Sequence, residues 1–308
     1  MTVSEMQLCA EETLDFFLQT MPDIQFAKED IIIEFVPKRK MVSRYKALCS
    51  MYAPDKMLND SKEAQLANAV AANAIIGRDK SAVLVRVNLK NREQEWRQII
   101  FHELMHIFCA KSEMDGEHFI DIYGSGHTPD MNPADKAYDG FLNAGYVVWS
   151  EFIAQYYALK YTQSQAYTFG DVADYAYSLL GEVSIQNDEH DSKTSFAMAC
   201  AYLLTCDDGN ILSDLVPLDD AEPEERPTEV TLRSCLEHIH RNLQQERPWK
   251  ISEEYISELG SKYLMFRVLN SFNYMIGGAS FGRKLTGNTA VSAVSTKPLS
   301  RLAAVVMP

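Results

Sequence analysis

His102, Glu103 and His106 stand in the segment EWRQIIFHELMHIFCA as the pattern HExxH. On a helix, residues four apart share one face, about one turn along the axis. Both imidazoles can therefore meet a single ion at the ~2.0–2.1 Å of a zinc–nitrogen bond. Glu103 is rotated by about 100° from His102, which takes its carboxylate out of direct coordination and leaves it beside the ion. That is the place of a general base. Zinc lowers the pKa of a bound water to about 7, and the carboxylate takes the proton as the water attacks a peptide carbonyl. The expected cofactor is Zn2+ and the expected reaction is peptide hydrolysis.

The setting of the motif adds to its weight. Ile99, Ile100 and Phe101 precede it, Leu104 and Met105 lie within it, and Ile107 and Phe108 follow, with no charge and no proline among them. A surface helix carrying HExxH by accident would show charges at several of those places. Three polar groups in so apolar a helix are costly to bury without a metal or partners. Cys109, next in line, reads as a small core residue.

Two histidines leave a catalytic zinc one protein ligand short. The position six residues after His106 is Ser112, and the glycine of the corresponding extended motif is replaced by Cys109. His118, His127, Asp130 and Glu151 remain as candidates. Glu151, in GYVVWSEFIAQYYALKYT, is favoured because a helix holds a ligand more firmly than a loop does. Val147, Ala154, Gln155 and Ala158 share its face, and the two alanines would allow a close helix approach. For the oxyanion, the loop DIYGSGHTPD offers Tyr123 and His127, and the second helix offers Tyr146 and Tyr156; spacing does not choose among them. The neighbours Gly124, Gly126 and Pro129 suit His127 to an active-site loop.

HExxH followed by a glutamate on a downstream helix resembles the gluzincin group of zinc peptidases. The order strand, HExxH helix, loop, glutamate helix is similar to the compact ImmA/IrrE-type members. The resemblance spans roughly residues 80–162 and rests on His102, Glu103, His106 and Glu151. It implies a zinc endopeptidase of narrow, regulatory specificity acting on a peptide or protein. Two other readings stand beside it. One is a binding module that keeps a metal for stability, with its fourth position closed by a protein ligand. The other is a SprT-like protease acting at DNA, with His118 replacing Glu151.

Charge speaks against the last of these. The chain of 308 residues has a formal charge of −14, which repels phosphate backbones, and Lys38-Arg39-Lys40 is short and isolated. Neither a secretory signal nor a run of ~20 apolar residues is visible, so a cytoplasmic protein without a membrane partner is expected. The six cysteines include no CxxC pair and read as reduced. His190, His238 and His240 lie on polar stretches and are assigned no site. The oligomeric state is left open.

The elements that must position these residues make an α+β fold: a small N-terminal mixed sheet packed on the HExxH helix and the Glu-bearing helix, then a mostly helical C-terminal half. A leading helix is expected over the first twenty residues, strands at Ile31–Val36 and Arg44–Tyr52, a helix over 61–76 ending at Gly77, and a strand at 81–89. That last strand is expected in the core, with edge pairing to an extended substrate as the alternative. Helical repeats follow in 94–110, 140–162, 170–181 and 192–205. Two stripes come next: Leu232, Cys235, Leu236, Ile239 and Leu243, then Ile256, Leu259, Tyr263 and Phe266. The acidic stretch Asp207–Pro227 reads as a solvated connection. Domain boundaries are expected at 1–165 for a zincin-like catalytic domain, 166–276 for a helical region and 277–308 for a tail.

Overall fold

A computed structural model describes residues 2–54, 60–76, 80–87, 92–112, 133–162, 169–183, 189–205 and 227–277. The fold is α+β, with a three-stranded mixed sheet in the N-terminal region and helices elsewhere. Two compact units make it up. The first holds helices α1 (Val3–Thr20), α2 (Met41–Tyr52), α3 (Asp60–Asn68) and α4 (Glu93–Lys111) and strands β1 (Ile31–Val36), β2 (Ala71–Ile75) and β3 (Ser81–Arg86). It also takes the last residues, from Lys160, of helix α5 (Pro133–Thr162). The second holds the rest of α5 with α6 (Phe169–Glu182), α7 (Glu189–Thr205), α8 (Pro227–Leu243) and α9 (Glu253–Gly277).

Helix α1 starts where expected because Thr2 and Glu5 close a capping box. The Thr2 hydroxyl accepts from the Glu5 N–H at 3.2 Å, and the Glu5 carboxylate accepts from the Thr2 N–H at 2.6 Å. Met6, Cys9, Ala10, Thr13, Leu14 and Phe17 form its buried stripe. It stops at Met21, whose extended backbone suits the residue before Pro22.

In the sheet, β3 lies between β1 and β2, parallel to β1 and antiparallel to β2. Alternation divides its side chains between two layers. Ala82 and Leu84 join Val36, Ala72, Ala74 and residues of α2 and α3 in one core cluster. The opposite face meets α4, where Trp96 packs edge-on against Phe35 of β1 with ring centroids 5.5 Å apart. Residues Ser81 to Val85 are all buried and β3 is paired on both sides, so it is a core strand with no open edge for a substrate; among the described residues β1 and β2 are the edge strands.

Two expectations of the first third are corrected. Arg44–Tyr52 is not a strand but part of α2, because Met41, Tyr45, Leu48 and Cys49 recur at helical spacing and are the buried positions. The helix over 61–76 ends early, at Asn68, and Ala71–Ile75 is β2 instead. Alanine favours helix, yet pairing of Ala71 with Val85 and of Ala74 with Ala82 overrides that weak preference. Gly77 and residues 88–89 lie outside the described residues, as do most of the acidic stretch and the tail after Gly277.

The helices of the second unit follow the expected stripes. Leu232, Cys235, Leu236 and Ile239 are buried on α8, and Ile256, Leu259, Tyr263 and Phe266 on α9. Both α5 and α8 begin at a proline, tolerated at the first helical position because its missing N–H would be unpaired there anyway. Within this unit α5 and α9 cross with their backbones touching. A Cβ on Gly145 would lie 1.9 Å from the Ile256 carbonyl oxygen, and one on Gly260 would lie 1.9 Å from that of Phe141. Among the described residues, no helix is long and apolar enough to cross a membrane.

Candidate metal centre

Helix α4 is buried from Ile99 to Cys109 without a break, with His102, Glu103 and His106 inside that stretch. Its surroundings come from several elements. Phe101 and Phe108, seven residues apart, pack on Phe17 of α1 with centroids at 4.8 and 6.2 Å. The end of α5 is tied to the same helix. Tyr161 packs on Phe101 at 5.6 Å, and the Gln94 side-chain amide donates to the Thr162 carbonyl at 3.1 Å.

His102 and His106 bring their Nε2 atoms to 3.1 Å, with the rings nearly perpendicular at 78°. Two nitrogens at that separation, each ~2.0–2.1 Å from one ion, would subtend roughly 100° at it, close to the tetrahedral angle. The ligand atoms of His102, His106 and Glu151 all lie within 4.8 Å of one another, and all three residues are buried. This group could hold a metal ion. Its donor set, two imidazoles and a carboxylate in an apolar shell, fits a divalent cation, whose charge offsets that of buried carboxylates.

Glu103 is fully buried beside the two histidines on α4. Its Oε2 accepts a hydrogen bond of 2.8 Å from the Asn73 side-chain amide of β2. Sequence reasoning missed Asn73, because it read residues 61–76 as one helix. The one trace in the sequence is a single polar side chain in the run AANAI, and it carries meaning only once that run is known to be a strand whose Asn73 face meets a buried helix.

Cys109 is buried, its thiol pushed up by desolvation, and it is not one of the three residues that could hold a metal ion. His238 stacks on Tyr255 with centroids 4.4 Å apart and is paired to its carbonyl at 3.1 Å, a structural arrangement within α8 and α9. His240 contacts Gln244 at 3.1 Å on the same helix. Tyr123 and His127, the oxyanion candidates, lie outside the described residues, as do His118 and Asp130, the other candidates for the third ligand. Tyr146 and Tyr156 are described and half-buried on α5. Compared with protein-family models, curated proteins and solved structures, the chain finds no match.

Proposed function

We propose that this protein is a zinc-dependent peptidase of the gluzincin kind, in which His102, His106 and Glu151 hold the ion and Glu103 is the general base. The observation that carries the reading is the buried His102–His106–Glu151 group with a fully buried Glu103 next to it on α4. A mixed nitrogen and oxygen donor set of three protein ligands suits a catalytic zinc. When bound, zinc would supply Lewis acidity to the scissile carbonyl and acidify the attacking water.

The chain's own residues do the rest. Glu103 accepts a proton from the attacking water and passes it to the departing amine. Ile99, Leu104, Met105 and Ile107 are all buried, so the helix that carries the three polar residues is otherwise apolar here, and a low-dielectric setting strengthens charge interactions. Tyr123 or His127 supplies the donor for the developing oxyanion. The net charge of −14 favours a peptide or protein substrate over a nucleic acid.

Glu103→Gln tests the assignment. An amide cannot take the proton, so the variant should keep its zinc and its fold while hydrolysis falls by about 10²–10⁴-fold. Zinc content and turnover of a quenched peptide library measure the two parts. Full turnover in this variant would refute the reading. Zinc bound by a wild-type protein that cleaves no peptide would point instead to a metal-keeping module.

A further inference from the structure

Asn73 is the only polar side chain of β2, and asparagine is depleted in strands. It is 5% exposed, so its amide needs a partner. The partner is Glu103 Oε2 at 2.8 Å. Strand alternation sends Ala72 and Ala74 into the core shared with α2 and α3, and turns Asn73 to the face that α4 covers. Pairing of Asn73 with Val83 of the central strand holds its backbone in place. A neutral amide suits the task, because a lysine or arginine there would pair with the carboxylate and weaken it as a base.

We infer that Asn73 is a positioning residue. It holds Glu103 through Oε2 and so presents Oε1 to the proton that is to be moved. The inference rests on the peptidase reading given above. Side chains that orient a catalytic or metal-bound group commonly change activity or affinity by about 10–100-fold when removed.

The test is a double-mutant cycle on the zinc-loaded protein, with a quenched-fluorescence peptide library as the probe. Asn73→Ala should lower kcat by about 10–100-fold, with KM and the zinc dissociation constant, read by chelator competition, changed by less than about twofold. Added to Glu103→Gln, the same change should lower the residual rate no further, since Asn73 acts through the carboxylate. In the metal-free protein the thermal midpoints of the two single variants should be non-additive in the double variant. Asn73→Ser, which keeps a shorter donor in little space, should recover part of the lost kcat and covers the case in which the alanine variant folds poorly. Equal loss in both backgrounds, loss of zinc, additive midpoints or an unchanged kcat would each overturn the inference. A fully active Glu103→Gln overturns the peptidase reading itself, whereas an impaired Glu103→Gln beside a fully active Asn73→Ala overturns the role of Asn73 alone.

Discussion

Helices α4 and α7 are both buried along most of their length, from Ile99 to Cys109 and from Ser192 to Leu204, yet only α4 carries a candidate site. The difference lies in the spacing of their polar residues. In α7 these are Ser192, Lys193, Thr194 and Ser195, consecutive positions that fan out at about 100° each, so that only Ser192 and Ser195 share a face, and none of the four is an imidazole or a carboxylate. Structural partners take up several of them. Ser192 donates to the Val183 carbonyl and accepts from the Tyr263 hydroxyl, at 3.0 and 2.9 Å, and the Lys193 amine donates to Asn143 at 2.9 Å and pairs with Glu189. In α4 the histidines are four apart and meet at 3.1 Å. Burial marks both helices, and convergence marks one.

The largest effect that can break this comparison is on metal content. Replacing His102 and His106 together with alanine should take bound zinc from about one per chain to none, measured by elemental analysis after dialysis. Unchanged metal would mean that the convergence in α4 serves only packing. Phe196→Ala in α7 should do the opposite. It empties the space against Tyr263 and Phe266 and should cost about 3–5 kcal/mol in urea unfolding, while the folded fraction keeps its zinc.

The smallest effect concerns pH. Burial holds His238 below the ordinary imidazole value, against the opposing pull of the Tyr255 carbonyl and Glu258; Lys262 and Arg241 add to the lowering. The folded protein therefore binds this proton less readily than the unfolded chain does. Its contribution is present in full above the unfolded pKa of about 6.5 and is lost as pH falls toward the folded value. The drop in urea midpoint between about pH 7.5 and about pH 5.5 should shrink in His238→Gln. An unchanged drop would place the pH response elsewhere.

The parts of the fold legible in the sequence are those where one period dominates. The α1 stripe, the β1 run before Pro37, the β3 valines and the helices from residue 93 onward were all readable this way. α2 was misread because RYKALCSMY also passes for an apolar run, and the helical recurrence shows only when Met41 is included. β2 was misread for a different reason: alanines carry little signal of their own, and that strand owes its existence to pairing with β3. The site divides along the same line. His102, Glu103 and His106 are local in sequence, and Glu151 was reachable from its apolar helix. Asn73 was not, since its meaning depends on which way a strand faces.

The mixed pairing of the sheet has a kinetic consequence. β2 and β3 are joined across a short connection, with the Ile76 N–H donating to the Lys80 carbonyl at 3.0 Å, and such hairpins close in about 1–10 μs. β1 reaches β3 only from far upstream, Ile31 opposite Ser81, so its docking waits on the closure of a long loop. During that interval the edge of β3 that β1 will cover is open, and open edges invite association between chains. Refolding yield should therefore fall with protein concentration more steeply than helical content alone would suggest, and the delay belongs to the arrival of β1.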